Sequence, residues 1–321
     1  MKARKSMKKR FVSLLVALSV TLTFLPIGAV AAAPIKFTDG NLKYKVNADG
    51  QSVTVSGTSG SPTQLTIESS ISDGNGKSYT VTKIGMGAFN NVRNTLTEVT
   101  LPPTLDEIED SAFFKCSSLT EITIPEGVTK IGTNAFYGCS QLTSITIPST
   151  IKNMDAAFPS NPKLSQVTLT NGIYRISSSA FKDCTGLTEI KVPTSVYEIC
   201  PGAFNGCTNL KRVLLEKNIK TINVNAFKDC TNLSDVKYNG YKTDWDKVTV
   251  NTTGNDTLTS KVQYLCDINF DLNGGTINGS GTMDKQTVYS NEKLGTAKCY
   301  QNDQPFVVPT DPVREGYTFL G

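Results

Sequence analysis

The motif Ile108-Glu-Asp-Ser-Ala-Phe113 is the first clean copy of a pattern that recurs through the middle of the chain. Copies that begin with Ile and end with Ala-Phe occupy residues 84–89, 131–136, 176–181, 199–204 and 222–227, and a shorter copy that begins with Met occupies 154–158. The phenylalanines follow one another at steps of 24, 23, 22, 23, 23 and 23 residues. A fixed period of this length is typical of a solenoid, in which each repeat forms one coil.

Each repeat has few apolar positions, and they recur at fixed places. In the unit that begins at Phe113 they hold Phe113, Cys116, Leu119, Ile122, Ile124, Val128 and Ile131. So few apolar residues cannot bury a core within one repeat. Stacked coils must therefore bury them together, as ladders of like residues.

The Leu-x-x-Ile-x-Ile segment of the repeat ends in β-branched residues with a period of two, which predicts a short strand. The Pro that follows cannot donate to a sheet ladder and therefore ends the strand. Strands of successive repeats are expected to lie side by side in one direction, about 4.8 Å apart. The Val-x-x-Ile segment predicts a second, weaker extended run, and the segment around Ala-Phe predicts a short helical or 3-10 turn.

The full pattern, Cys-x-x-Leu-x-x-Ile-x-Ile-Pro-x-x-Val-x-x-Ile-Gly-x-x-Ala-Phe, covers about residues 84–261. It resembles the bacterial leucine-rich repeat of the BspA-like class. The resemblance implies an α/β fold, a right-handed and β-rich leucine-rich repeat solenoid of about seven 23-residue coils, with β-strand caps at its ends. It also implies a surface protein that acts in adhesion or host interaction.

The segments around the repeats at 84–237 predict further parts. Residues 34–83 predict an N-terminal β cap, because alternating runs at 41–46 and 52–55 flank Asp49-Gly50, a hairpin signal. Residues 238–265 predict a C-terminal cap, although Trp245, the only Trp, leaves a carbohydrate platform open as an alternative. Residues 266–321 resemble the start of a Listeria–Bacteroides repeat, a small β-rich module. That motif would normally continue with a Trp and a strand, so the natural chain is expected to be longer, or this chain to be a fragment.

Residues 1–33 read as a secretory signal peptide, with a basic run ending at Arg10, an apolar run at 11–25 and small residues at 29–33. An uncleaved membrane anchor is the alternative. After signal removal no run of about 18 apolar residues remains, so we expect no transmembrane span. Removing the six basic residues of this segment leaves 26 basic against 28 acidic residues, a net charge of −2, which speaks against nucleic-acid binding.

The composition restricts the chemistry that the chain can perform. There is no histidine, so a Ser-His or Cys-His nucleophile pair is excluded within this chain. Five of the eight cysteines recur three residues after a repeat Phe, and no Cys-x-x-Cys pair exists. We therefore expect buried thiols rather than disulfides or a metal ladder, with Cys200 as the exposed thiol and Cys266–Cys299 as an open pairing. We expect no cofactor, no metal and no enzymatic activity.

The strand residues between the apolar ones are the candidate site, because the resemblance places them on the concave face. The central row is Thr100, Thr123, Thr146, Thr168, Lys191, Leu214 and Lys237, and the flanking row is Glu98, Glu121, Ser144, Gln166, Glu189, Arg212 and Asp235. Candidate partner-binding residues are Thr123, Thr146, Thr168, Gln166, Glu189, Lys191, Arg212 and Lys237. Threonine also suits a strand surface on propensity alone, so a purely structural role is the alternative.

These features predict a monomeric secreted or cell-surface protein that binds an extracellular protein or glycan through this face. Two alternatives remain open from the sequence. The chain is a non-catalytic targeting arm of a longer secreted enzyme, or it is a structural surface spacer.

Overall fold

The computed structural model describes residues 35–152 and 154–268 together with three short strands at 286–289, 299–301 and 304–306, and it describes side chains up to residue 265. The chain divides into Met1–Ile35 and Lys36–Gly321, and every element below belongs to the second unit. The predicted signal peptide and most of the predicted C-terminal module lie outside the described residues. They stay predictions.

The described elements are short and almost all extended. The N-terminal strands are β1 (Lys36–Asp39), β2 (Leu42–Val46), β3 (Ser52–Thr58), β4 (Gln64–Thr66), β5 (Ser70–Ser72) and β6 (Ser78–Ile84). The repeats add β7 (Glu98–Thr100), β8 (Glu107–Ile108), β9 (Lys130–Ile131), β10 (Ser144–Ile147), β11 (Gln166–Leu169), β12 (Arg175–Ile176), β13 (Glu189–Lys191), β14 (Glu198–Ile199), β15 (Arg212–Glu216) and β16 (Thr221–Ile222).

The C-terminal part of the described chain contains strands and two short helices. In chain order they are β17 (Asp235–Tyr241), α1 (Lys242–Trp245), β18 (Thr249–Val250), α2 (Asp256–Lys261), β19 (Val262–Ile268), β20 (Gln286–Tyr289), β21 (Cys299–Gln301) and β22 (Gln304–Phe306). Neither helix reaches the length and apolarity that a bilayer span requires, within the part of the chain that the structure describes.

The predicted repeat strands form parallel ladders that define one side of the coils, here called the strand face. Strand β4 pairs with β7, β10 pairs with β11, and β13, β15, β17 and β19 pair in sequence order. Like positions are opposite one another, as in Ile145 with Val167 and Ile190 with Val213. The repeat therefore sets the register, and a slip of one residue would turn the buried Ile positions outward.

One predicted strand is absent. Residues 119–124 carry the full Leu-x-x-Ile-x-Ile motif but are not extended into a ladder with either neighbour. The backbone bonds that remain at this coil are long, 3.4 Å from the Thr120 amide to the Thr97 carbonyl and 3.3 Å from the Thr143 amide to the Thr120 carbonyl. The strand face is therefore interrupted at this coil, between β7 and β10. It is interrupted again between β11 and β13, which do not pair.

The Val-x-x-Ile segments form the predicted second extended run, here called the second ladder. Strands β6, β8 and β9 pair in parallel, and so do β12, β14, β16 and β18. The interruption between β9 and β12 falls at the coil whose motif, 154–158, is one residue short. Each strand has only two residues in most coils, which matches the weak sequence signal.

The Ala-Phe segment differs from the predicted helical turn in most coils. A 3-10 helix forms only at Asn90–Val92, among the described residues, and the other coils use successive tight turns. The residues two before and two after each repeat Phe adopt positive φ in nearly every coil, for example Asn134 at 56° and Gly138 at 69° around Phe136. Most of these positions hold Gly, Asn, Asp or Ser, of which Gly, Asn and Asp adopt this left-handed conformation most readily. Lys115 and Ala156 are the exceptions, with φ of 55° and 46°.

A stack of phenylalanines runs through the core. Phe89, Phe113, Phe136, Phe158, Phe181, Phe204 and Phe227 are all buried, and neighbouring ring centroids lie 4.6 to 5.7 Å apart with nearly parallel planes. The amide of each Phe up to Phe204 donates to a carbonyl in the following coil at 2.8 to 3.1 Å, and that carbonyl belongs to the Ala before the next Phe. Burying one such ring stabilises the fold by about 2–3 kcal/mol.

The N-terminal cap contains the predicted hairpin. Strands β2 and β3 pair antiparallel around the turn at Asp49-Gly50. Strand β3 then pairs with β6, which joins the cap to the second ladder, while β4 begins the strand face against β7. The cap therefore covers the first coil by continuing its ladders.

The C-terminal end closes the stack with Asn255 in place of an Ala-Phe motif. The Asn255 side chain is fully buried, and its Oδ1 accepts the Phe227 amide at 2.9 Å. Its Nδ2 donates to the carbonyls of Asn223 at 2.8 Å and Asn251 at 2.6 Å. Trp245 is also buried, with its ring edge-on to Tyr238. The carbohydrate-platform interpretation of Trp245 is therefore wrong, because the side chain is only 8% exposed.

Replacing Asn255 with Ala is expected to reduce the free energy of unfolding by about 1–3 kcal/mol, because it leaves the buried Phe227 amide and the Asn251 carbonyl without the partner that Asn255 supplies. The Asn223 carbonyl still accepts the Ala226 amide. Urea unfolding followed by circular dichroism measures the change. The exposed Asn232 is the control, since Asn232→Ala should change stability by no more than about 0.5 kcal/mol. Equal stability of the two variants would contradict the capping role.

An ion-pair row on the second ladder joins three coils. Glu107 is bonded at 2.6 Å by Lys83 on one side and at 2.6 Å by Lys130 on the other. Burial raises the pKa of Glu107, but the hydrogen bonds from Lys130 and Lys83 outweigh it and hold the pKa below its ordinary value. A carboxyl with a lowered folded-state pKa stabilises the fold at pH values above its unfolded pKa, and this contribution is lost as the pH falls through the folded value.

Glu107→Gln is accordingly expected to cost up to about 1 kcal/mol of stability at pH 7, because Lys130 is exposed and Lys83 half-exposed, so that solvent screens the pairs. The deficit should shrink as the pH is lowered below the ordinary glutamate pKa of 4.5. Unfolding curves of both proteins between neutral and acid pH measure it, with Glu126→Gln as an exposed control. A deficit that persists unchanged at acid pH would rule out the ion pairs as its cause.

Candidate functional site

The predicted site residues lie together on the strand face and reach solvent. The side chains of Thr123, Thr146, Thr168, Gln166, Glu189, Lys191 and Arg212 are exposed, and Lys237 is half-buried. Ladder pairing sets Thr146 beside Thr168, Glu189 beside Arg212, and Leu214 beside Lys237. Thr123 belongs to the coil without a strand, so it continues the row in position but not in sheet pairing.

Arg212 is held by carboxylates of the two adjacent coils. Its Nε donates to Asp235 Oδ2 at 2.6 Å, and its Nη1 lies 3.3 Å from Glu189 Oε2. The hydrogen bond and charge of Asp235 raise the pKa of Arg212 above its ordinary value, with Glu189 adding to the effect. The guanidinium therefore stays charged but is paired with carboxylates within the protein, and it bridges three successive coils.

Lys191 differs from Arg212, because its ammonium makes no hydrogen bond or ion pair within the described residues. It lines a groove of about 360 Å³ together with Thr168 from the preceding coil. The rest of the groove is formed by Val167, Leu169, Asn171, Pro193, Thr194 and Glu216. This groove brings together two predicted site residues, Thr168 and Lys191, and polar groups from the turns that follow the strands. Those turn residues were not among the predicted site residues.

A second groove, of about 370 Å³, lies on the strand face at the coil without a strand, between β7 and β10. Thr123 lines it with Glu98, Thr100 and Glu121, and the prolines that follow the strand positions, Pro103 and Pro125, form one side. Its charged groups, Glu98 and Glu121, are both acidic, whereas the first groove is lined by one charge of each sign, Lys191 and Glu216. The two grooves are thus different environments on one surface.

The repeat cysteines are buried thiols, as the sequence predicts. Cys139, Cys184, Cys207 and Cys230 each donate from Sγ to the Phe carbonyl of the preceding coil at 3.2 Å. In the coil that lacks Cys, Asn161 makes the same contact, with its Nδ2 3.0 Å from the Phe136 carbonyl. The Asn161 Oδ1 is buried without a hydrogen-bond partner, so this substitution is imperfect.

The prediction that Cys200 is exposed is wrong, because its side chain is only 5% exposed. It follows the buried Ile199, and the equivalent residues Gly132 and Ser177 of other coils are also buried. At Gly132 a side chain would clash with Asp110 of the preceding coil, so the neighbouring coil closes over the position there. Glu109 and Asn223, at the same position in other coils, are half-buried. The side chains of Cys266 and Cys299 lie outside the described residues, so their pairing stays untested.

Burial disfavours the thiolate at every described cysteine. It raises the pKa of Cys116, Cys184 and Cys230 to about 12, and that of Cys200 to about 11, where Glu198 adds to the effect. The pKa values of Cys139 and Cys207 also lie well above the ordinary range for the same reason. Within the described residues, no group of three or more His, Cys, Asp or Glu side chains could hold a metal ion.

The stacked parallel coils and their exposed polar row define the chain as a leucine-rich repeat solenoid. The BspA type Leucine rich repeat region matches residues 70–158 and 154–260, in six copies. The chain therefore belongs to the BspA-type leucine-rich repeat family. No curated protein matches it significantly.

Several solved structures of bacterial leucine-rich repeat proteins resemble the chain. A leucine-rich repeat protein from Bacteroides capillosus is 30% identical, and the match covers 42% of this chain and 98% of the chain in that structure, with a TM-score of 0.39. The leucine-rich repeat protein of T. pallidum is 23% identical over 62% of this chain and 91% of its own, with a TM-score of 0.43. A "leucine rich cell surface protein" from Faecalibacterium prausnitzii is 19% identical over 68% of this chain and 98% of its own, with a TM-score of 0.31.

The buried thiols should resist alkylation in the folded protein. Iodoacetamide at pH 8 is expected to leave Cys116, Cys139, Cys184, Cys200, Cys207 and Cys230 unmodified, because the thiolate is the reacting species and burial suppresses both its formation and its access. Mass spectrometry of peptides before and after urea unfolding measures each site, and all six should react once unfolded. Rapid labelling of Cys200 in the native protein would contradict its burial.

Proposed function

We propose that this protein is a secreted or cell-surface scaffold that binds an extracellular protein or glycan through its strand face. The observation that carries the proposal is the row of exposed side chains held in register on stacked coils, with Thr168 and Lys191 lining one groove. The signal-peptide pattern of residues 1–33 supports export of the chain.

The stacked coils make this surface well suited to recognition. In the paired strands each exposed residue sits between two buried or half-buried ones, so its backbone position is fixed before a partner arrives. Thr168 is held by the pairing of β11 with β10, and Lys191 by the pairing of β13 with β15. Such preorganisation reduces the ordering cost that binding would otherwise incur. An extended row also lets one partner contact several coils at once, which is how repeat proteins commonly use their surfaces.

The groove around Lys191 is the part of the face that we assign to the partner. Lys191 has no carboxylate bound to it among the described residues, whereas Arg212 is engaged by Glu189 and Asp235. An unpaired ammonium at a groove retains its capacity to meet a carboxylate, a carbonyl or a sugar hydroxyl. Arg212 and Glu189 then serve to hold the spacing of the coils that border the groove.

The proposal is tested with the full chain and a panel of immobilised secreted proteins and glycans, measured by surface plasmon resonance. For any ligand that binds, Lys191→Glu is expected to weaken affinity by roughly tenfold, because the charge facing the partner is reversed. Lys182→Glu is the matched control: Lys182 is an exposed lysine of the same coil, but it follows Phe181 on the turn side.

Equal affinities of the wild type and Lys191→Glu would contradict the assignment of the groove, and so would an equal loss in both variants. Failure of the entire panel to bind would favour the structural-spacer alternative. Thermal unfolding of each variant checks that the fold is retained, which we expect because both lysines are exposed.

A further inference from the structure

Two tyrosines stand exposed next to each other on the second ladder, away from the strand face. Tyr174 is 56% exposed and Tyr197 is 47% exposed, and each lies two residues before the buried Ile of its coil. The Tyr197 amide donates to the Tyr174 carbonyl at 2.9 Å, so the two residues occupy the same position in adjacent coils. In other coils this position holds Asp106, Thr129, Lys152 or Lys220.

The packing of the coils does not account for the exposure of these two rings. Elsewhere in the coils the large aromatics are stacked in the core or packed against one another, as Phe114 is against Tyr137 at 5.2 Å between ring centroids. Tyr174 and Tyr197 make no ring contact within the part of the chain that the structure describes, although their backbones are hydrogen-bonded. The two rings therefore offer a partner two separate contact points and do not form one continuous surface.

The surroundings of the pair are basic. Arg175 follows Tyr174, Lys220 occupies the same position in the next coil, and Lys152 occupies it in the preceding coil; all three are exposed. None of their charged groups makes an ion pair or hydrogen bond among the described residues. One acid of the ladder, Glu198, lies opposite Arg175 in the strand pairing, and its Oε1 accepts a hydrogen bond from Asn223 at 2.9 Å. The three basic residues therefore outnumber it.

This local excess of positive charge contrasts with the chain as a whole, whose residues after position 33 carry a net charge of −2. Tyr and Arg are also the residue types that most often dominate the binding energy of protein interfaces, whereas Thr is under-represented among them. A tyrosine offers a large, rigid contact area with a hydroxyl at its end, at little cost in conformational entropy. The pair therefore meets the requirements of an interface centre more closely than the threonine row does.

We propose that Tyr174, Arg175 and Tyr197 form a second interaction surface that binds an acidic, extended segment of a partner protein, with Lys152 and Lys220 at its rim. The two rings pack against apolar parts of the segment, and Arg175 takes one of its carboxylates. The lysines attract the segment at longer range and make its association sensitive to salt. This surface is distinct from the groove at Lys191, so it stands independently of the function proposed above.

The test uses the full chain and a fluorescein-labelled peptide of alternating glutamate and leucine, followed by fluorescence anisotropy. The peptide is expected to bind, and the same peptide with glutamine in place of glutamate should bind at least about tenfold more weakly, because the charge pairing is removed. The double variant Tyr174→Ser/Tyr197→Ser and the variant Arg175→Ala should each lose at least about tenfold in affinity.

Matched controls distinguish binding at this surface from a general effect of losing a tyrosine or an arginine. Tyr241→Ser removes another exposed tyrosine and should leave peptide binding unchanged, and so should Arg93→Ala, which removes an exposed arginine of the first coil. Thermal unfolding of every variant checks folding, and the exposed positions predict little change.

Three outcomes would overturn the proposal. The first is failure of the acidic peptide to bind, and the second is undiminished binding to the tyrosine double variant. The third is binding of an acidic polysaccharide such as alginate that depends on Tyr174 and Tyr197 while the peptide does not bind, which would assign the surface to a glycan.

Discussion

The hydrogen bond from each repeat phenylalanine amide to the alanine carbonyl of the following coil is the interaction on which the structure depends. It fixes the distance between coils at the position where the Phe rings stack, so the backbone and the core share one spacing. The tight turns with positive φ on either side of each Phe present the amide to the next coil. The two strand ladders then follow at their own positions, and they tolerate interruption where the Phe stack does not.

That hierarchy explains how the chain accommodates its irregular coils. The coil with the motif at 154–158 is one residue short and loses its place in the second ladder, yet Phe158 remains stacked between Phe136 and Phe181. The coil at 119–124 loses its strand, yet Phe113 and Phe136 remain in contact. At the end of the stack, where no further Ala carbonyl exists, Asn255 supplies a side-chain oxygen at the same place. A quasi-one-dimensional protein needs such an end because its outermost coil has no neighbour on one side.

Most of the repeat architecture could be predicted from the sequence, because identical residue types at identical positions can only be buried by stacking. The period, the Phe, Cys and Ile ladders, the N-terminal hairpin and the burial of the repeat thiols all follow from that. The missing strand at 119–124 could not be predicted, since its motif is indistinguishable from the motifs of the neighbouring coils. Whether this segment pairs as a strand depends on how far it lies from the equivalent segments of those two coils. The burial of Cys200 could not be predicted from its own repeat, because adjacent coils close over that position.

On the candidate surface, the exposed row of residues could be predicted from the sequence. That Arg212 is paired with carboxylates while Lys191 is not was not predicted from the sequence. The signal was present: Glu189, Arg212 and Asp235 occupy one position in three successive repeats, which places the arginine between two carboxylates. Tyr174 and Tyr197 are likewise 23 residues apart in the sequence, at a position outside the strand residues. The charged row and the tyrosine pair both become visible when residues at the same position of successive repeats are compared, including positions outside the strands.

Amide hydrogen exchange resolved by residue measures directly how strongly the Phe amide–Ala carbonyl bonds hold the coils together. The amides of Phe113, Phe136, Phe158, Phe181 and Phe204 are expected to exchange among the slowest in the protein, because they open only when adjacent coils separate. The amides of Ile122, Thr123 and Ile124, which lack an inter-coil strand pairing, should exchange faster than those of β15 and β17. Phe amides that exchange as fast as those of exposed turns would contradict the account.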